Sequence, residues 1–332
     1  MRPLFCLCAL AALAGCDLTP TLDVDLPPHE RALFVSGVVA ADSAIAVRAG
    51  VSRDPYAVRT FERFGALKPE LSVLLRRDGQ PDVPLAERQC EGYDYETGEL
   101  IVAGCGVYET AASVGPGETA SLVARSEGLP DAVATFTMPL RPDASLLEAL
   151  AETREPSPGQ TITEYAVSLE LRDRPGLDRY ALGVVATRTF ETCTFDPETE
   201  ECAPRLASTP KALFFTTVDP LLVAASREIE TGGYALIAFD DQEFEGRART
   251  FRLDTEIYDG GFYDGGFSAS VAQPRVQLSA LSSILYEVRN IVQFSPGEGN
   301  PFAEVEDLPS NVEGGYGIVG AVTLWEARLE AE

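Results

Sequence analysis

The 332-residue chain is strongly acidic, with 26 basic residues against 52 Asp and Glu residues and a formal net charge of −26. This balance excludes nucleic-acid binding as a main function, because a phosphate backbone requires a basic surface. The surplus carboxylates are expected mainly on a hydrated surface, with capture of cationic ligands or calcium as the functional alternative. A hydrophobic content of 45% is sufficient for two cores in a chain of this length.

The N-terminus has the features of a bacterial lipoprotein signal peptide. A basic residue and an apolar run precede Leu-Ala-Gly-Cys at residues 13–16. The run is too short for a transmembrane helix, which needs about 20 apolar residues, and a plain secretory signal would carry this tetrapeptide only by chance. We predict that residues 1–15 are removed, that Cys16 is lipidated, and that residues 16–30 form a tether.

Cysteine usage predicts two disulfides in an oxidising compartment. Of the seven cysteines, two leave with the signal peptide and one carries the lipid, which leaves four. Cys90 and Cys105 flank one turn-forming segment, and Cys193 and Cys202 flank another. Each pair is expected to close a hairpin. A zinc site built from all four is the alternative, but neither pair has the close C-x2-4-C spacing of such sites.

Short strand-like runs predict an immunoglobulin-like β-sandwich over residues 30–140. Gly, Pro and Asp separate these runs, as expected for a sandwich with tight turns. The runs lie at residues 33–39, 45–51, 71–75, 121–124 and 133–137. The Pro-Leu-Arg-Pro-Asp segment at 139–143 marks a boundary, after which residues 141–332 are predicted to form a larger antiparallel β domain, sandwich or barrel-like.

The second half contains the clearest strand periodicity. Apolar side chains alternate with mostly polar ones over residues 164–172, which predicts a half-buried strand. The turn at 173–176 leads to residues 180–184, which are expected to pair back antiparallel on that strand. Further strands are predicted at 213–217, 234–239, 251–257, 276–278 and 318–325. Apolar residues recurring every three or four positions predict one helix over residues 279–293.

The C-terminal segment carries a family resemblance. Residues 300–320 contain Asn-Pro-Phe and then Ser-Asn-x-x-Gly-Gly-x-Gly-Ile-x-Gly, and two internal elements accompany them: Asp173-x-Pro-Gly-x-x-x-Tyr180 and Asp241-x-x-Phe244-x-Gly246. With the lipoprotein signal, these resemble a family of Bacteroidota lipoproteins catalogued as domain of unknown function 4249. The resemblance implies an envelope lipoprotein, often encoded beside a TonB-dependent outer-membrane transporter, and supplies no catalytic or ligand residues.

The glycines of that C-terminal motif have a structural interpretation. Gly314, Gly315, Gly317 and Gly320 would allow a tight turn and close packing of the last strand.

No catalytic constellation is predicted. His29 is the only histidine and lies in the tether, so no histidine-dependent triad or multi-histidine metal site can form around it. With 52 carboxylates, some pair will always resemble a glycosidase dyad, so that pattern has no specificity. Gly-x-Ser-x-Gly, P-loop and Rossmann patterns are missing. We therefore assign no catalytic residue, metal or cofactor, and we do not expect an enzyme.

A tandem pentad is the one candidate contact site. Tyr-Asp-Gly-Gly-Phe at residues 258–262 repeats at 263–267, and such rings beside carboxylates suit a sugar or a peptide. The alternative is that the Gly-Gly pairs are turns and the rings are packing residues. The spacing does not match a D-x-D-x-D-G calcium loop, and neither does the acidic loop at 196–201. The candidate contact residues are Tyr258, Asp259, Phe262, Tyr263, Asp264 and Phe267.

These features together predict a lipid-anchored outer-membrane binding or accessory subunit of a TonB-dependent nutrient transporter. The expected partners are the membrane, the transporter and a small-molecule, glycan or peptide ligand. A surface structural or adhesive lipoprotein without a transporter is the alternative, and an envelope hydrolase is the third.

Replacing Cys16 with serine should release the protein from the membrane fraction. The acyl chains on Cys16 would be the only lipid attachment predicted, so the variant should stay in the aqueous phase on detergent partitioning. Mass spectrometry of the mature wild-type N-terminus is the direct measurement. An unmodified N-terminus, or one that begins elsewhere, contradicts the prediction.

Overall fold

The computed structural model describes residues 30–52, 70–93, 100–157, 160–195, 202–225, 236–259, 269–294 and 309–330. Within these ranges the chain is mainly β, with large antiparallel sheets and two short helices, which confirms the predicted fold class. No helix in them is long and apolar enough to cross a membrane.

The strands follow one another along the chain with few helical interruptions. The first half contains β1 (Leu33–Ala40), β2 (Ile45–Val51), β3 (Leu71–Arg77), β4 (Val83–Tyr93), β5 (Leu100–Thr110), β6 (Thr119–Ser126) and β7 (Ala132–Thr137). The second half contains β8 (Asp143–Ser157), β9 (Gln160–Arg172), β10 (Arg179–Phe195), β11 (Cys202–Leu213), β12 (Phe215–Thr216), α1 (Pro220–Ala225), β13 (Leu236–Asp240), β14 (Ala248–Asp259), β15 (Ala269–Leu281), α2 (Ser283–Phe294), β16 (Val312–Glu313), β17 (Gly315–Tyr316) and β18 (Val319–Arg328).

The N-terminal core forms where one sheet turns back on itself. The strand order β1-β2-β5-β4-β3-β6-β7 brings β6 and β7 against β1. In β2, Ile45, Val47 and Ala49 are buried and their neighbours Ala46 and Arg48 are exposed, the alternation expected of a strand with one face on a core. The alternation of buried apolar and exposed residues, from which a β-sandwich was predicted for this half, is therefore present in its strands.

A disulfide joins the two strands of the β4–β5 hairpin. Cys90 and Cys105 are bonded, their Cα atoms are 5.6 Å apart, and they are separated by 15 positions, which confirms this predicted pair. A loop of this length contributes about 3 kcal/mol of stability by restricting the unfolded chain.

The C-terminal half is a sandwich of two sheets. The sheet β12-β14-β9-β8 packs on the strands β11-β10-β15-β18 of the larger sheet, with a core that includes Leu169, Leu182, Phe251 and Leu278. The predicted pairing of residues 180–184 with the preceding strand is wrong, because β9 and β10 lie in opposite sheets. The turn after β9 crosses between the sheets, so the apolar faces of both strands meet across the core.

The predicted helix is present but begins four residues later. Residues 279–281 continue β15, where Ser279 pairs with Leu324 and Leu281 with Val322 of β18. The helix α2 starts at Ser283. The residue before it, Ser282, still donates its backbone N–H to the carbonyl oxygen of Ala321 in β18. Strand pairing with β18 thus takes precedence over the helical period at these first positions.

Several elements of the fold were not predicted from the sequence. They are the strand β8, the two-residue strands β16 and β17 and the short helix α1, whereas β4, β5 and β11 were predicted only as arms of the two cysteine hairpins. Asp219 caps α1, since its Oδ1 accepts the Leu221 N–H at 2.9 Å.

Strand register defines two ends of the C-terminal sandwich. At the aspartate end, the turn at 173–178 follows β9 and the turn at 241–246 follows β13. Here Arg179 of β10 lies opposite Asp240 of β13 in the strand register. At the hairpin end lie the strand ends that lead into residues 158–159, 196–201 and 260–268. The N-terminal half adjoins the aspartate end, because β18 pairs first with β1 and then with β15.

The C-terminal glycines allow the last segment to approach other backbone closely. A Cβ on Gly317, whose φ is +120°, would lie 2.0 Å from the Val35 carbonyl oxygen. A Cβ on Gly314 would lie 2.3 Å from the Asp131 carbonyl oxygen. The close packing inferred from the motif is therefore a backbone-to-backbone contact that excludes any side chain.

Substituting Gly317 with alanine should destabilise the protein by roughly 3 kcal/mol or more, through the clash with Val35 and the positive φ. Gly79→Ala is the matched control: Gly79 has φ +70°, but a Cβ added there would have no neighbouring atom within 4 Å. The control should lose only about 1 kcal/mol. Urea denaturation of both variants measures the difference, and equal losses would contradict the close-contact explanation.

Candidate functional site

Two turns meet at the aspartate end and bring three carboxylates together. Asp173 and Asp178 lie in the connection from β9 to β10, and Asp241 follows the last residue of β13. One carboxylate oxygen from each aspartate lies within 4.8 Å of the other two. We call Asp173, Asp178, Asp241 and the adjacent Tyr180 the aspartate cluster.

Directional hydrogen bonds hold the cluster in place. The Tyr180 hydroxyl donates to Asp173 Oδ1 at 2.8 Å and is 3.3 Å from Asp178 Oδ2. The Gly246 N–H donates to Asp173 Oδ2 at 2.8 Å, and the Asp178 N–H donates to Asp241 Oδ2 at 2.9 Å. These bonds connect the 173–178 turn to the 241–246 turn, so neither turn can move independently of the other.

Burial and mutual repulsion perturb the cluster's protonation. Asp241 is fully buried, and burial together with the neighbouring Asp173 carboxyl raises its pKa to about 6. Burial, and then the charge of Asp173, also raise the pKa of Asp178. Burial raises the pKa of the Tyr180 phenol well above its usual range, so this hydroxyl is a hydrogen-bond donor at any physiological pH.

An aromatic layer supports the cluster from the core side. The Tyr180 ring packs on Phe239, with centroids 5.7 Å apart, and Phe239 packs on Phe251 at 5.3 Å. Arg249 lies over Phe244 and Phe251 and pairs with Asp219 at 2.8 Å. Rigid packing of this kind fixes where the Tyr180 hydroxyl points.

The side chains of all six predicted contact residues lie outside the described set. Tyr258 and Asp259 end β14, opposite Ile162 and Thr161, but their side chains are not among those described. Residues 260–268, which include Phe262, Tyr263, Asp264 and Phe267, lie outside the described ranges, as does Cys16. Their proposed roles stay predictions.

The second cysteine pair is only partly described. The predicted hairpin exists as β10 and β11, with Cys193 opposite Pro204 and Cys202 opposite Phe195. The side chains of both cysteines lie outside the described set, so their disulfide stays a prediction.

Asp173, Asp178 and Asp241 were not predicted to form a site. In the sequence, Asp173, Tyr180, Asp241 and Gly246 belong to two separate family-like elements. The structure brings those two elements into one cluster, although about 70 residues separate them along the chain. In each element an aspartate precedes a glycine by a few residues, and this pattern is the signal of a site that the sequence offers. The contact between the two elements arises because the chain crosses from one sheet to the other.

Comparisons with known proteins leave the function open. No protein-family model matches the chain, and no curated protein matches it. One similar solved structure is a mutant of Salmonella alpha-2-macroglobulin, with 11% identity and a TM-score of 0.20; the match covers 80% of this chain and 14% of that one. Another is a carbohydrate-binding module of the β-sandwich superfamily, with 8% identity and a TM-score of 0.18, covering 74% of this chain and 97% of that one.

The buried carboxyl of Asp241 should make the free energy of unfolding depend on pH when EDTA is present to remove divalent cations. Its pKa of about 6 in the folded state exceeds the ordinary aspartate value of 3.8, so the folded state retains a proton that the unfolded chain releases. The contribution is fully present below about pH 4 and is lost as the pH rises through about 6, a change of roughly 3 kcal/mol.

Urea denaturation in EDTA across this pH range measures the effect, and Asp241→Asn should flatten it. Asp254→Asn, an exposed aspartate on β14 in the same half, is the control and should keep the wild-type profile. If Asp241→Asn keeps the same slope as the control, Asp241 is not the titrating group.

Proposed function

We propose that this protein is a lipid-anchored outer-membrane binding or accessory subunit of a TonB-dependent nutrient transporter. The observation that carries the binding role is the position of the hairpin end, which lies at the far end of the β1–β18–β15 strand path from the start of β1. We infer the transporter as the partner from two sequence features. The C-terminal motif resembles that of the lipoprotein family named above, and residues 13–16 form a lipoprotein signal ending at Cys16.

The direction of the strands supports this arrangement. The later residues of β1 pair in parallel with β18, from Gly37 with Val319 to Ala40 with Val322. β18 then continues away from β1 and pairs with β15, as far as Arg328 with Arg275. Among the residues of β1, Leu33 is therefore the farthest from the hairpin end along this path. The predicted tether enters at one end of the path, and the pentad connection leaves from strands at the other.

Distances along the chain make this arrangement suitable for presentation. Residues 16–32 reach at most about 60 Å when fully extended. From Leu33 to the start of β15, the path along β1, β18 and β15 adds at most about 60 Å. The hairpin end can thus be held clear of the lipid headgroups, within reach of a membrane-embedded partner.

Connections at one end of a sandwich are suited to binding. A rigid pair of sheets positions such loops while their sequences remain free to vary. β14 ends at Asp259 in one sheet and β15 begins at Ala269 in the other, so the nine residues between them link the two sheets at this end. The tandem pentads place four aromatic residues in and beside this connection, which suits contact with a protein, glycan or peptide surface.

Affinity purification in mild detergent, followed by mass spectrometry, should recover an outer-membrane transporter with this protein. Replacing Tyr258, Phe262, Tyr263 and Phe267 with alanine should leave the melting temperature nearly unchanged and reduce recovery of the partner at least tenfold. A control replaces Phe214 and Val218, which are exposed apolar residues of the same half away from the hairpin end, and should retain the partner.

Three outcomes contradict the proposal. Recovery of the protein alone would favour the adhesive alternative. Unfolding of the quadruple variant would show that the rings are packing residues, and equal loss of the partner in the control variant would place the interface elsewhere.

A further inference from the structure

One oxygen of the aspartate cluster lacks a hydrogen-bond donor. Asp241 is completely buried, and its Oδ1 has no partner, whereas its Oδ2 accepts the Asp178 N–H. Buried acceptors in folded proteins are nearly always satisfied, and an ionised carboxylate needs compensation even more strongly than a neutral group. The Asp173 carboxyl is close enough to hydrogen-bond with the Asp241 carboxyl while one of the two is protonated, but two ionised carboxylates have no proton to share.

Arg174 is a basic residue near the cluster, and its charge favours the ionised form of Asp178 without forming an ion pair with it. Among the residues that the structure describes, no arginine or lysine forms an ion pair with Asp173, Asp178 or Asp241. The nearby Arg174 donates instead to the carbonyl oxygen of Arg141 at 2.8 Å. The cluster therefore holds negative charge in a poorly solvated place where a cation is the missing component.

We propose that the aspartate cluster is a calcium site, with Asp173, Asp178 and Asp241 as the protein ligands. Calcium–oxygen distances are about 2.3–2.6 Å, so two oxygens on opposite sides of one ion are about 5 Å apart. The three carboxylates, with ligand oxygens within 4.8 Å of one another, fit around one ion. The Oδ1 of Asp241 supplies a ligand atom that no protein donor already uses.

The donor set selects calcium over other divalent cations. All three protein ligands are carboxylate oxygens, whereas zinc and copper sites favour nitrogen and sulfur. Magnesium requires a near-ideal octahedron at about 2.0–2.1 Å, while calcium tolerates irregular geometry and six to eight oxygens. Three carboxylates plus water correspond to a site of the weaker, extracellular class, with dissociation constants of about 0.1–1 mM.

Tyr180 is a positioning residue for this site. Its hydroxyl donates to Asp173 Oδ1 and lies near Asp178 Oδ2, which orients both carboxylates, and its ring is fixed by Phe239. Such outer hydrogen bonds orient metal ligands and tune their affinity. Because β9 and β13 belong to opposite sheets, a bound ion would crosslink the two sheets at the aspartate end.

Calcium added to the full chain, purified in mild detergent and treated with EDTA, should raise its melting temperature. At about 5 mM calcium and neutral pH the expected rise is about 3 °C or more, saturating with concentration. Magnesium at the same concentration, and sodium chloride at the same ionic strength, should give much smaller shifts. The salt arm corrects for screening, because the chain carries a net charge of −26.

Variants assign the ion to these residues. Asp241→Asn and Asp178→Asn should each weaken calcium affinity at least tenfold by isothermal titration calorimetry, while Asp254→Asn on the exposed face of β14 should bind like the wild type. Asp178 is only half-buried, so its variant keeps the test valid if Asp241→Asn does not fold.

Two results would overturn the proposal. The first is a rise in melting temperature with calcium no larger than that with magnesium or matched sodium chloride. In that case a proton shared between the Asp173 and Asp241 carboxyls, and not a cation, would stabilise the buried Asp241. The second is equal calcium affinity in Asp178→Asn and Asp254→Asn. Neither result bears on recovery of a transporter partner, so the calcium site and the proposed function fail separately.

Discussion

The fold depends on a single strand that belongs to both halves. β18 pairs in parallel with β1 and then antiparallel with β15, so Val319 and Ala321 lie in the N-terminal core while Trp325 and Ala327 pack against the C-terminal one. Thr323, between them, is fully buried and donates to the Pro139 carbonyl oxygen at 2.6 Å. Because one strand supplies side chains to both cores, neither core can be completed before the C-terminal segment is in place.

The period-two patterns predicted most of the strand positions. Where one face of a strand is buried and the other is polar, as in β2 and β9, the alternation alone gives the strand and its inward face. Residues 180–184 show the limit of this reasoning: the strand was predicted, but its partner was not. A turn sequence is compatible with a hairpin and with a crossing between sheets, and only the packing of both apolar faces against one core selects the crossing.

The aspartate cluster could not be predicted from the sequence, because it too depends on how distant segments pack together. Asp173 and Asp241 look like ordinary turn residues, which aspartate favours because its side chain bonds to nearby backbone N–H groups. Their importance comes from a contact between two distant turns, and that contact exists because β9 and β13 end at the same edge of the sandwich. In a chain with 52 acidic residues, no composition-based argument selects three of them.

The two ends of the C-terminal sandwich therefore differ in kind. The aspartate end is held by buried hydrogen bonds and adjoins the N-terminal half, where Arg141 pairs with Asp42 at 3.1 Å. The hairpin end carries connections of two, six and nine residues and lies at the far end of the strand path from the predicted tether. The sheet runs continuously from β1 through β18 into β15, so the junction at the aspartate end holds the strands of the two halves in a fixed relation. Under the proposed function, this rigidity would let the strands at the hairpin end present their connections in a fixed orientation.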